Sequence, residues 1–166
     1  MPDYSQLIKQ QYQATRSGST RLFFLIIQAS NEIGMDQALA CLEQCVIEKR
    51  IAWLKANQWE VIDSSDPVME GYQWFYESYL GVSVPKDGEI VERTEKRMVM
   101  RWWNPCPTLE ACQKLGLDTR EVCKKAYHKP VQEFLKVINP KLRFDRNYEA
   151  IRPYAAWCEE IIVLED

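Results

Sequence analysis

The sequence has 166 residues, with 21 lysines and arginines against 24 aspartates and glutamates, which gives a formal net charge of −3. Hydrophobic residues make up 46% of the chain and charged residues 27%, which is ordinary for a globular protein and excludes disordered, collagen-like and membrane-spanning classes. The mild acidity argues against a nucleic-acid partner, which would need a broad basic surface. Six cysteines and six tryptophans beside a single histidine are the unusual features.

The N-terminal segment has no basic stretch leading into an apolar run, so it does not resemble a secretory signal. The early apolar run from Leu22 to Ile27 is far shorter than the roughly 20 residues that cross a bilayer. We therefore expect a cytoplasmic protein without a membrane partner, in which thiols stay reduced. Each cysteine is then a small core residue, a metal ligand or a reactive group, and core packing is the commonest of these.

The first half of the sequence is mainly helical, and we expect one domain over the whole chain, with residues 1–80 helical and residues 89–166 containing strands with two inserted helices. Apolar spacing and capping residues predict three helices separated by a break at Ser17–Ser19 and by Gly34: Asp3 to about Arg16, Arg21 to about Asn31, and Asp36 to Asn57.

Two cysteines lie on the third predicted helix. Cys41 and Cys45 are four residues apart and so share a face. Two thiols at this spacing could supply half of a metal site, but they lie among Ala38, Leu42 and Ile47. Core packing is therefore the better interpretation.

A fourth helix is predicted to begin at Asp66-Pro67, with an acidic N-cap and proline in the first helical position. Its aromatic residues recur every three to four positions and include Tyr72, Phe75, Tyr76 and Tyr79. Such a stripe either packs into the core or forms the wall of a ligand cavity. The segment from Gly81 to Gly88 has the composition of a loop.

Alternation of side-chain type predicts a strand that starts near Glu89 and continues through Met98–Trp103. Arg93, Arg97 and Arg101 would share one face of it, either as a solvated face balanced by acidic neighbours, which is favoured, or as a small anion site.

Two further strands are predicted over Leu142 to Tyr148 and Ala155 to Leu164. The helices inserted before them are capped at Thr108 and Asp118, and Pro130 is expected to kink the second. The predicted fold is α+β: an N-terminal helical layer on an antiparallel sheet, with a cysteine-bearing helical insertion.

Most of the side chains that could react or bind a metal follow this first predicted strand. Cysteines and the single histidine are spaced there as C-x5-C-x10-C-x4-H, with one more cysteine near the C-terminus. No CxxC pair occurs, so this is not a zinc-ribbon pattern. Cys123 and His128 diverge by about 140° around a regular helix, so only a break near Pro130 could bring them to one ion. If a metal is bound, thiolate ligands favour zinc, and the candidate ligands are Cys106, Cys112, Cys123 and Cys158.

Five short motifs in this half carry a family resemblance: Cys106-Pro107, Cys112 with Gly116, Val122-Cys123, Asn139-Pro140 and Cys158-Glu159. With them, the run from Trp102 to Glu160 resembles the L-2-amino-thiazoline-4-carboxylic acid hydrolase-like family of small bacterial proteins. It is also distantly similar to the 4-vinyl reductase domain, a small-molecule-binding module.

The hydrolase resemblance implies the opening of a thiazoline ring by water, which needs an activated water and a group that protonates the leaving atom. The candidates for a catalytic role are Cys106, Cys123, His128 and Glu159, with Cys112 a further thiol of the same segment. In the alternative interpretations, Glu159 pairs with an arginine on the sheet and His128 bonds a free backbone carbonyl beside the kink.

The 4-vinyl reductase resemblance implies a non-catalytic or sensory domain with a cavity between the helices and the sheet. Its walls would hold a small-molecule ligand or substrate, and the candidate ligand-binding residues are Trp102, Trp103, Tyr72, Tyr76, Arg101 and Trp157, with Phe75 beside them. A third interpretation is a homo-oligomer, for example a homodimer, in which these aromatic side chains only pack.

Overall fold

The computed structural model describes residues 1–15, 18–57 and 64–166. Arg16 and Ser17, part of the predicted first helix and of the break after it, lie outside the described residues. The helices are α1 (Tyr4–Ala14), α2 (Thr20–Ile33), α3 (Met35–Ala56), α4 (Pro67–Tyr72), α5 (Pro107–Leu115), α6 (Thr119–Val122) and α7 (His128–Ile138), and two π-helical segments are π1 (Gln73–Leu80) and π2 (Cys123–Tyr127).

A four-stranded antiparallel sheet follows the N-terminal helices, and the predicted α+β class is confirmed. The strands lie in the order β1-β2-β4-β3, and their bounds are β1 (Gly88–Arg93), β2 (Arg97–Trp102), β3 (Leu142–Asn147) and β4 (Cys158–Leu164). The central pair, β2 and β4, places Trp102 opposite Cys158 and Met100 opposite Glu160.

The predicted strand from Glu89 to Trp103 is wrong in one respect, because it is a hairpin of two strands. The chain turns between Arg93 and Arg97, so Arg93 lies on β1, while Arg97 and Arg101 share one face of β2. Arg93 instead forms an ion pair with Asp66, and Arg97 pairs with Glu92. The favoured interpretation, charges balanced by acidic neighbours, therefore describes this cluster.

Local capping explains where the helices begin. The side chains of Asp3, Ser19, Asp66 and Asp118 accept backbone N–H hydrogen bonds at the starts of α1, α2, α4 and α6. The predicted cap of α5 at Thr108 is wrong by two residues. Cys106 is the N-cap, and its Sγ accepts from the Leu109 N–H at 3.4 Å.

The predicted break near Pro130 is confirmed. Tyr127 leaves helical geometry with φ −125° and ψ −15°, so π2 ends there and α7 starts at His128 with Pro130 in its first turn. In the first turn of a helix the backbone N–H groups have no partner within that helix. The missing N–H of Pro130 therefore costs nothing there.

Buried side chains form two apolar clusters. The first joins α1, α2, α5, α6, π2 and the N-terminal part of α3, and it includes Cys45, with Cys41 packed against it. The second joins α4, π1, α7 and the inner face of the sheet, and it includes Phe75, Tyr76 and Trp102. The prediction of core packing for Cys41 and Cys45 is confirmed. No helix in the described ranges is long and apolar enough to cross a membrane.

Candidate functional site

A pocket of about 510 Å³ lies where the two apolar clusters meet. Its walls come from α3, π1, π2, α7, β2, β3 and β4, and from the loops that precede β1 and α5 and that follow β3. Tyr127 of the first cluster and Phe75, Tyr76 and Trp102 of the second all line it. This volume is in the range of metabolite and cofactor sites.

Three of the four cysteines of the C-terminal half line this pocket. Cys106 reaches it from the N-cap of α5, Cys123 from π2 and Cys158 from the first residue of β4. Cys112 is fully buried in the first apolar cluster and is not part of the pocket wall. The fold therefore brings together thiols that are 17 and 35 positions apart in the sequence.

The surroundings of Cys106, Cys112 and Cys123 keep their thiols protonated. Burial raises the pKa of Cys106 and raises the pKa values of Cys112 and Cys123 to about 12. A protonated thiol is a poor nucleophile and a poor metal ligand. The predicted zinc ligands are not assembled either: among the described residues, no three His, Cys, Asp or Glu side chains are placed to hold a metal ion.

A buried carboxylate occupies the sheet side of the pocket. Glu160 accepts from the Tyr76 hydroxyl at 2.5 Å, and its other oxygen accepts from Nε and Nη2 of Arg146 at 3.1 and 2.7 Å. Burial, together with the Glu160 charge, raises the pKa of Tyr76 well above its usual value. Burial alone would lower the pKa of Arg146, but the Glu160 carboxylate outweighs it and raises that pKa. Arg146 is therefore charged, and Tyr76 is neutral.

Arg50, on α3, is a second buried arginine of this pocket. The residue is 8% exposed, and within the described ranges its Nε and Nη1 have no hydrogen-bond partner. Its guanidinium carbon lies 5.1 Å from the ring centroid of Phe75 and 5.5 Å from that of Tyr79, so cation–π contacts offset part of its desolvation. Unlike Arg146, it has no carboxylate partner in the part of the chain that the structure describes.

Two further donors of the pocket wall have no partner among the described residues: Nη1 of Arg146 and Nε1 of Trp102. Positive charge also exceeds negative charge around the pocket. Four cations line it, those of Arg50, Lys86, Arg146 and Arg152, against the carboxylates of Asp87 and Glu160. The pocket therefore offers N–H donors and positive charge without matching acceptors, in a chain whose net charge is negative.

Glu159 and its neighbours lie outside the pocket wall. Because side chains alternate along a strand, Glu159 faces away from Cys158 and Glu160. It accepts from Arg101 at 3.0 Å and from Asn147 at 3.2 Å, which is the sheet pairing of the alternative interpretation. Arg101 in turn lies 4.5 Å from the ring centroid of Trp157. These three predicted site residues form a cluster on the outer face of the sheet.

The other predicted residues outside the wall are held by local contacts. Nδ1 of His128 lies 2.7 Å from the Tyr148 hydroxyl, so the predicted partner, a free backbone carbonyl, is wrong. Trp103 is 42% exposed and donates to the Lys86 carbonyl. Tyr72 is buried and stacks on Trp102 behind the wall. Of the predicted aromatic walls, Trp102, Tyr76 and Phe75 line the pocket.

Sequence reasoning missed the charged residues of the pocket wall, and for three of them, Arg50, Arg146 and Glu160, the sequence carries a signal. Arg50 continues the apolar stripe of α3, four residues after Val46 and four before Leu54. Glu160 has the strand parity of Cys158 and the core residue Ile162, and Arg146 that of Leu142 and Phe144. A charged residue on an otherwise apolar face is a useful marker of a site.

Comparisons of the chain with protein-family models, with curated protein sequences and with solved structures give no match.

Proposed function

We propose that this protein binds a small organic anion, most simply a carboxylate, in the pocket between its two apolar clusters. The observation that carries the proposal is the set of unpartnered donors: within the described residues, Arg50, Arg146 and Trp102 each present buried N–H groups without an acceptor, and all three line the same pocket.

The energetics of Arg50 support a ligand. A buried charge without a partner costs several kcal/mol or more in principle, and most buried charges are paired or neutralised. Water can bond the free N–H groups of Arg50, but it does not neutralise the charge. A carboxylate does both, because its two oxygens fit the paired N–H groups of a guanidinium. The rings of Phe75, Tyr76 and Trp102 offer contact area for the rest of the molecule.

Calorimetric titration with benzoate and with neutral benzamide, which is nearly the same size, tests this proposal. We expect at least tenfold tighter binding of benzoate by the native protein. The variant Arg50→Met should lose this preference, because methionine fills the space without the charge. The matched control is Arg101→Met, which removes an arginine outside the pocket wall. Equal affinity for the two probes in the native protein, or an unchanged preference in Arg50→Met, would contradict the proposal.

Hydrolysis is a second candidate function, favoured by one observation: Cys106, Cys123 and Cys158 line the same pocket as Glu160 and the unpartnered donors. The family that the sequence resembles is named for a cyclic carboxylate, which has the charge that this pocket requires. Protonated thiols of the kind found here could supply a proton to a leaving nitrogen or sulfur.

Incubation with 2-amino-thiazoline-4-carboxylate distinguishes hydrolysis from binding alone. Mass spectrometry would follow the uptake of one water by the substrate. A hydrolase produces the ring-opened product, and Cys158→Ser or Cys123→Ser slows it, whereas Cys41→Ser does not. Binding without turnover would leave the anion-binding proposal standing and remove the hydrolase.

A further inference from the structure

Cys158 is set apart from the other thiols of the pocket by a direct contact with a cation. Nε of Arg152 donates to its Sγ at 3.4 Å. The guanidinium is itself held, because Nη1 of Arg152 donates to the Asn104 carbonyl at 2.7 Å. Cys158 is half-buried and lines the pocket, so a small molecule in the pocket can reach the sulfur.

The other two pocket thiols have different surroundings. Cys106 accepts a backbone N–H from Leu109 as the cap of α5, and burial raises its pKa. Burial raises the pKa of Cys123 to about 12. Arg152, in contrast, donates directly to the sulfur of Cys158, and a guanidinium in that position stabilises the negative charge that develops on sulfur during its attack.

We propose that Cys158 is a nucleophilic thiol that forms a mixed disulfide with small anionic disulfides, with Arg152 as its positioning residue. The inference rests in part on the proposed function, since Arg50, which is 8% exposed and has unpartnered N–H groups in the same pocket, would draw the anionic reagent in. It adds to that function a covalent modification site with a defined attacking atom.

The disulfide reagent is the oxidant in this exchange, and no other is needed. The Cys158 sulfur, after losing its proton, attacks one sulfur of a disulfide that carries carboxylates. A new S–S bond forms between Cys158 and that sulfur, the original S–S bond breaks, the second half of the reagent leaves as a thiolate, and the proton lost by Cys158 passes to solvent. Arg152 stays protonated and stabilises the charge on the attacking sulfur.

Two disulfide reagents, one anionic and one neutral, test the inference. The first is the dianionic aromatic disulfide 5,5′-dithiobis(2-nitrobenzoate), and the second is neutral 4,4′-dithiodipyridine. Each is added to the whole protein in limiting amount, and peptide mass spectrometry locates the labelled cysteines over time. We expect Cys158 to be labelled at least tenfold faster than Cys41, a half-buried thiol on α3 outside the pocket wall.

Variants separate the two parts of the inference. Arg152→Met should slow the labelling of Cys158 by both reagents about tenfold, and Arg152→Lys should restore part of the rate because it returns the charge. Arg50→Met should slow the anionic reagent alone. The inference is overturned if Cys158 reacts no faster than Cys41, or if Arg152→Met leaves both rates unchanged. If only the Arg50→Met effect is missing, the reactive thiol stands and the anion-binding proposal fails.

Discussion

At the scale of single residues, the pocket contains two buried arginines in opposite situations. Arg146 has Glu160 as a close partner, and Glu160 also accepts from Tyr76. Arg50 has aromatic rings around it and, within the described residues, no carboxylate. Breaking the Arg146–Glu160 pair should therefore lower stability, because it leaves an uncompensated charge, whereas removing the Arg50 charge should not.

The variant Glu160→Gln tests the paired arginine. It leaves the buried Arg146 guanidinium without a countercharge, and we expect the free energy of unfolding to fall by about 3 kcal/mol, the size seen when one partner of a buried ion pair is removed. Urea denaturation measures this. The exposed pair of Lys114 and Glu110 provides the control, since Glu110→Gln should cost less than about 1 kcal/mol. Equal losses in the two variants would contradict this view of the buried pair.

The variant Arg50→Met tests the unpaired arginine. We expect the free energy of unfolding without ligand to stay within about 1 kcal/mol of the native value, or to rise, because a buried charge that no described residue neutralises is exchanged for an apolar side chain. The same denaturation experiment applies. A loss of about 3 kcal/mol or more would mean that Arg50 stabilises the fold, and its charge would then need no ligand to explain it.

His128 provides a pH-dependent stability. Burial lowers its pKa below 6.5, and the charge of Arg146 lowers it further. The neutral ring is therefore favoured in the folded state, so the unfolded state binds more protons below pH 6.5. Its contribution is fully present above pH 6.5 and fades as the pH falls below that value. In the variant His128→Gln, the unfolding free energy should fall less between pH 7 and pH 5 than it does in the native protein. An equal fall in the two proteins would contradict this role of His128.

At the scale of elements, the helices and most strands were predictable because their signals are local. Caps such as Asp66 and Asp118, and the break before Pro130, lie within a few residues of the element they end or begin. The sequence does not mark the hairpin between Arg93 and Arg97, because its turn residues, Thr94 to Lys96, lie within a continuous polar run and contain neither glycine nor proline.

The site was only partly predictable, because a pocket depends on contacts between distant elements. The cysteines and Trp102 were identified from sequence, but the pairing that sets Cys158 opposite Trp102 comes from the register of β2 with β4. The motif Cys158-Glu159 points to Glu159, whereas the residue in the pocket is its neighbour Glu160. Parity gives the correct residue once Ile162 is recognised as core.

Gly88 connects the sheet to the pocket wall, which gives a prediction at this scale. A Cβ at this position would lie 2.5 Å from the Arg101 carbonyl oxygen and 2.5 Å from the Trp102 ring. We expect Gly88→Ala to lower the unfolding free energy by about 1–3 kcal/mol through overpacking and to displace Trp102. Glu89→Ala, at the next and more exposed position, is the control. Denaturation and the indole Nε1–H NMR signal of Trp102 measure both effects, and a native-like signal in Gly88→Ala would contradict the expectation.

At the scale of the whole molecule, the pocket lies at the junction of two apolar clusters, and both π-helical segments contribute to its wall. Phe75, Tyr76 and Leu80 come from π1, and Cys123 and Tyr127 from π2. Such segments are rare and occur often at functional sites. Their presence on two sides of one pocket agrees with a ligand site there, and the excess of positive charge agrees with an anion.

The most direct test of the central claim observes the arginines themselves. Titration of the ¹⁵N-labelled protein with benzoate should shift the Nε–Hε NMR signals of Arg50 and Arg146 saturably, with signals assigned through Arg50→Met and Arg146→Met. Benzamide should leave them in place, and the signal of Arg101, outside the pocket wall, should not move with either compound. Unmoved signals of Arg50 and Arg146 at saturating benzoate, or shifts confined to surface arginines, would contradict the claim that this pocket binds an organic anion.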